Sequence, residues 1–67
     1  MNQSSLFLIK LLEKNGFLFK RSKGSHQIYF NSLSNITIVV PVHGSKDIKK
    51  GTLLAILKQV GIDKNEL

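Results

Sequence analysis

His26 and His43 are the only two histidines of this 67-residue sequence, and imidazole is the side-chain type suited to proton transfer near neutrality. Each sits in a short glycine motif, "KGSH" at Lys23 to His26 and "VHG" at Val42 to Gly44. Lys20, Arg21 and Lys23 crowd the first, and Lys46, Lys49 and Lys50 follow the second. An imidazole can take or give a proton in phosphodiester cleavage. Neighbouring cations can stabilise the extra negative charge of a pentavalent phosphorus. The plainer reading is a solvated hairpin turn with a surface histidine. Such a turn explains Gly24, but it leaves the run of cations beside His26 without a cause.

Other chemistries find less support. Glu13, Asp47, Asp63 and Glu66 form no local pair of the kind that holds two metal ions. Two histidines without clustered carboxylates or cysteines make weak metal ligands. No nucleophile–base motif surrounds the serines, and the glycine–lysine spacing of a phosphate loop is missing. No metal or cofactor is expected.

Ten Lys and Arg against four Asp and Glu give a net charge of +6, which favours a polyanionic partner. A hydrophobic fraction of 42% is too high for disorder, and the length suits one domain over residues 1–67. The lack of cysteine fits a reducing cytosol. The apolar run Leu6 to Leu12 is broken by Lys10, too short to cross a bilayer and unlike a signal peptide. These readings point to a cytoplasmic protein with no membrane partner.

The elements that must position the histidines follow from periodicity. A first helix is expected over Ser4 to Asn15, capped by Ser4 or Ser5 and stopped by Asn15-Gly16. Strands are expected over Phe17 to Arg21, His26 to Asn31 and Ile36 to Pro41. Gly24 suits the first hairpin turn. Phe17, Phe19, Ile28, Phe30, Ile36, Ile38 and Val40 are assigned to one buried face. The other face then carries Leu18, Gln27, Tyr29, Thr37 and Val39, with Tyr29 and Val39 open to a partner or merely scattered on the surface. A short helical turn is expected near Asp47. A second helix runs from about Lys50 to Val60, with Leu53, Ile56, Leu57 and Val60 on one stripe and Gly61 as its stop. Asp63 to Glu66 has the spacing of a capping box and can open a last turn. The order α-β-β-β-α is an α+β architecture, with two helices on one face of a three-stranded antiparallel sheet.

A meander places the end of its first strand, the start of its second and the end of its third at one edge. A symmetric second hairpin sets His26 opposite Pro41 and brings His43 near the Gly24 turn. The two basic clusters then merge, joined by the positive end of the second helix. An anion site, above all for a phosphodiester backbone, is the favoured reading.

Beyond these derivations, "GF" at Gly16-Phe17, "KGSH", "VPVHG" at Val40 to Gly44 and "KKGTLLAILKQVGI" at Lys49 to Ile62 resemble the HicA (YcfA-like) toxin family over nearly the whole chain. The resemblance implies a fold like the double-stranded-RNA-binding domain. It also implies a metal-independent ribonuclease that cleaves mRNA and arrests translation, partnered by a HicB-like antitoxin. The family's catalytic histidine carries over to His26. Roles for His43 and the lysines do not carry over and rest on the residues themselves. The expected RNA contacts are Lys20, Arg21, Lys23, Gly24, Ser25, His43, Lys46, Lys49 and Lys50, with His43 either a second acid/base group, a phosphate contact or a turn residue. The rival reading is a binding module for duplex RNA without chemistry. Its weakness is the mildly basic exposed arc of the first helix, Lys10, Glu13 and Lys14.

Overall fold

Ser4 starts the first helix. In a computed structural model describing residues 2–44, 46–63 and 65, its Oγ accepts a hydrogen bond from the Phe7 amide at 3.4 Å. Helix α1 then runs Ser5–Lys14. Gly16, at φ +92°, reverses the chain, and the Phe17 amide closes the helix end on the Leu12 carbonyl at 3.0 Å.

Strand β1 spans Leu18–Lys23, β2 His26–Asn31 and β3 Ile36–Pro41, forming an antiparallel meander in the order β1-β2-β3. Helix α2 spans Lys50–Val60 and ends on Gly61 at φ +75°. Leu53, Ile56 and Leu57 of α2 join Leu8, Leu11 and Leu12 of α1 in one core with Tyr29, Ile38 and Val40 of the sheet. The expected α+β order and the single helix-covered face are therefore both present. Fully burying each such side chain stabilises the fold by about 1.5–3 kcal/mol.

The sheet faces differ from expectation along β2. Tyr29 and Asn31 are buried, whereas Ile28 and Phe30 are half-buried on the opposite side. The reason is register. The four-residue turn Ser32 to Asn35 pairs Asn31 with Ile36, so Tyr29 faces Ile38 and Gln27 faces Val40. Directly opposed residues share a face. Hence Tyr29 joins the core with Ile38, and Ile28 and Phe30 pair with Val39 and Thr37 on the open side. Tyr29 is not a surface partner residue.

Strand β1 also departs from simple alternation. It extends to Lys23, two residues beyond the expected end, and its pairing shifts between Phe19 and Arg21. Lys20 is the extra residue of a β-bulge. Without it, Arg21 would oppose Gln27 on the helix side. With it, Arg21 opposes Ile28, and Lys20 and Arg21 both reach the open face.

The segment 46–49 has no regular structure, so the helical turn expected near Asp47 does not form. Ile48 anchors it instead: its amide donates to the Gln3 carbonyl at 2.8 Å, and Gln3 Nε2 donates to the Ile48 carbonyl at 2.9 Å. Of the expected capping box at the C-terminus, Lys64 and Glu66 lie outside the described residues.

Candidate nucleic-acid interface

His26 opens β2, opposed by Lys23 on one side and Pro41 on the other. The hairpin between Lys23 and His26 has only Gly24 and Ser25 at its turn. Gly24 takes φ +59°, the positive angle that a type II′ turn needs at its first central residue. Nothing lies within 4 Å of where a Gly24 Cβ would stand, so backbone conformation rather than crowding selects glycine.

Beyond Pro41, the Val42 amide donates to the Ser25 carbonyl at 2.7 Å. That bond carries the chain one step past the strand and sets His43 beside the hairpin turn. The His26 and His43 rings stand 6.4 Å apart between centroids, inclined at 74°. Both are exposed. The Lys46 amide then donates to the His43 carbonyl at 3.1 Å, turning the chain towards α2. His43 shares a cleft with Pro41, Asp47, Ile48, Lys49 and Thr52. Lys49 is the N-cap residue of α2 and makes no side-chain cap, and the first turn of the helix holds no acidic residue. The helix dipole there adds to the positive field.

Lys20, Arg21, Lys23, Gly24, Ser25, His26, His43, Lys46, Lys49 and Lys50 are all exposed. The fold brings Lys23 to His26, His26 to His43, and His43 to Lys49. Lys20 does not join that end. Its Nζ lies 4.9 Å from the Phe30 ring centroid, and Phe30 is four residues, about 13 Å, along β2 from His26. Sequence reasoning missed the groove that Lys20 and Arg21 form with Ile28, Phe30 and Thr37. The pairing of His26 with Pro41 was a signal for it, since the same register puts Ile28 opposite Val39.

Among the described residues, the one titrating group that the fold perturbs lies on the other face. Burial pushes the Tyr29 phenol above its usual value, and the Glu13 carboxylate adds to the effect. Its hydroxyl donates to Gln27 Oε1 at 3.0 Å.

An α-β-β-β-α chain with one sheet face covered by both helices has the layout of the double-stranded-RNA-binding domain. The chain belongs to the HicA toxin family: the family model for the HicA toxin of bacterial toxin–antitoxin systems matches residues 8–62. The matched stretch runs from α1 through α2 and includes both histidines. No curated protein matches the chain. Membership of a toxin–antitoxin family implies an antitoxin partner. Among the described residues, no helix is long and apolar enough to cross a membrane.

Proposed function

We propose that this chain is the toxin of a type II toxin–antitoxin pair and acts as a metal-independent endoribonuclease on mRNA in the cytoplasm, arresting translation. The observation that supports this most is the approach of His26 and His43 at the cationic end of a HicA-family fold. The RNA backbone crosses that end, held by Arg21, Lys23, the Gly24-Ser25 turn, Lys46, Lys49 and Lys50. Lys20 contacts the strand farther along the sheet.

RNA carries its own nucleophile in the 2′-hydroxyl. One imidazole accepts the 2′-hydroxyl proton as the oxygen bonds to phosphorus. The bond from phosphorus to the 5′-oxygen breaks, and the other ring, as imidazolium, gives that oxygen a proton. His26 is essential in either role, and His43 supplies the second proton transfer. The lysines and Arg21 offset the charge that builds on the phosphoryl oxygens. A HicB-like antitoxin neutralises the toxin by covering this end with acidic or aromatic groups.

The test is incubation of labelled mRNA fragments with purified protein in the presence of chelator. Fragments are expected from the parent, and about 10²–10⁴-fold slower cleavage from His26→Ala. Undiminished cleavage by His26→Ala would remove His26 from the mechanism. Retarded but intact duplex RNA with the parent would favour a binding module without chemistry.

A further inference from the structure

The open face of the sheet carries apolar side chains that no described element covers. Leu18 is 72% exposed and Val39 49%, while Ile28 and Phe30 lie half-buried between them. Cations interleave with this floor. The bulge sends both Lys20 and Arg21 to the same side, and Lys23 and His26 follow at the end of the face. Among the described residues, none on this face is acidic: Glu13 is on α1, Asp47 precedes α2 and Asp63 follows it. A groove of about 360 Å³ runs between Lys20, Arg21, Ile28, Phe30 and Thr37. That volume is at the small end of ligand sites, so it suits a flat ring rather than a folded element.

An apolar floor with one aromatic ring, bordered by cations and free of carboxylates, matches the two halves of a nucleotide. A base offers an aromatic face to stack, and its phosphates seek positive charge. The groove is also continuous with the His26 end, since Ile28 lies two residues, about 7 Å, along β2 from His26. On these grounds we infer that the open sheet face is a nucleobase subsite for a single-stranded segment of the RNA substrate. One base lies against Ile28 and Phe30 with the Thr37 hydroxyl at its edge, displacing Lys20 Nζ from over the Phe30 ring, and Lys20 and Arg21 hold the flanking phosphates. The inference rests on the reading that RNA is cleaved at His26, and it places the bound base near the scissile linkage rather than at it. A paired, stacked base cannot present its face here, so the subsite selects single strands over duplex.

The experiment measures binding apart from cleavage. Full-length His26→Ala protein is titrated into a fluorescent, unstructured oligoribonucleotide and into a duplex of equal length, and Phe30→Ala and Thr37→Glu are added in the same background. Tighter binding of the single strand is expected, with Phe30→Ala weakening it about 5- to 150-fold. The salt dependence in Phe30→Ala stays unchanged because no phosphate contact is lost, whereas Lys20→Gln makes the slope shallower by about 0.7. Circular dichroism establishes that each variant is folded. If Phe30→Ala does not fold, Thr37→Glu decides, because it puts a carboxylate into the groove from an exposed position. Preference for duplex, or parental single-strand binding by the folded variants, overturns the subsite. Loss of antitoxin binding with RNA binding intact overturns it too and assigns the face to the protein partner. If the parent cuts no RNA yet these binding differences appear, the subsite stands and the nuclease reading fails.

Discussion

The imidazoles of His26 and His43 meet edge to face, with centroids 6.4 Å apart, although seventeen positions separate them in the chain. Strand pairing alone accounts for the meeting. His26 is opposed by Pro41, and the bond from the Val42 amide to the Ser25 carbonyl keeps the chain in register for one more step. The rings are too far apart to bond each other directly.

If the two rings divide proton transfer between them, His26→Ala and His43→Ala should each slow single-turnover cleavage by about 10²–10⁴-fold. The parent pH–rate profile should be bell-shaped, and each variant should lose one limb. The fragments should end in a 2′,3′-cyclic phosphate and a 5′-hydroxyl. A parental rate and both limbs in His43→Ala would leave His43 as a turn residue only.

Asn31 is a polar residue placed in the core for its hydrogen bonds. Its Nδ2 donates to the Asn15 carbonyl at 3.0 Å, and its Oδ1 accepts from the amides of Leu33 at 2.9 Å and Ser34 at 3.3 Å. It thus joins the end of α1 to the β2–β3 turn. Asn31→Ala should cost about 1–3 kcal/mol, and each 1 kcal/mol lowers Tm by about 4–8 °C in a domain this small. Gly16→Ala should also exceed Gly24→Ala in cost. Its Cβ would stand 3.2 Å from Asn31 Nδ2, whereas at Gly24 only the positive φ opposes the change. Thermal melts followed by circular dichroism measure all three, and equal melting temperatures for the two glycine variants would refute the crowding at Gly16.

The elements and the histidine end were legible because each rests on local signals. Ser4, Gly16, Gly24 and Gly61 punctuate the chain, and the Leu53 to Val60 stripe has one period. Strand β2 was harder to read, because "HQIYFN" places apolar residues on both of its faces and alternation cannot choose between them. Only cross-strand register decides, and it puts Tyr29 opposite Ile38. The bulge at Lys20 left no mark in residue type, since a lysine is at home in either position. The open-face groove depends on both facts, so it emerged only with the strands paired.

Lys49 lines the cleft with His43, and Lys50 opens α2. If they contact phosphate and not bases, Lys49→Gln and Lys50→Gln should weaken single-stranded and duplex RNA alike. Each should make the salt dependence shallower, by about 0.7 for single strands and about 0.9 for duplex. Titrations of the His26→Ala background at several salt concentrations give both slopes. Unchanged slopes would exclude these lysines from the RNA path.

Tyr29 is the sole tyrosine, so its ionisation can be followed by phenolate absorbance without interference. Burial first, and Glu13 second, raise its pKa in the folded protein. The folded state therefore keeps a proton that the unfolded state gives up near the ordinary value of about 10. With more protons bound in the folded state, stability must fall as pH rises through that region. The contribution is whole below about pH 10 and is lost as pH climbs to the raised folded value. Denaturation midpoints of the parent should therefore decline on the alkaline side more steeply than those of Tyr29→Phe, which has no phenol to ionise. Lysine titration is common to both proteins and cancels in the difference. Parallel midpoint curves, or a native phenolate titration at the ordinary value, would show that the Tyr29 hydroxyl is not held in the environment formed by the core, Gln27 and Glu13.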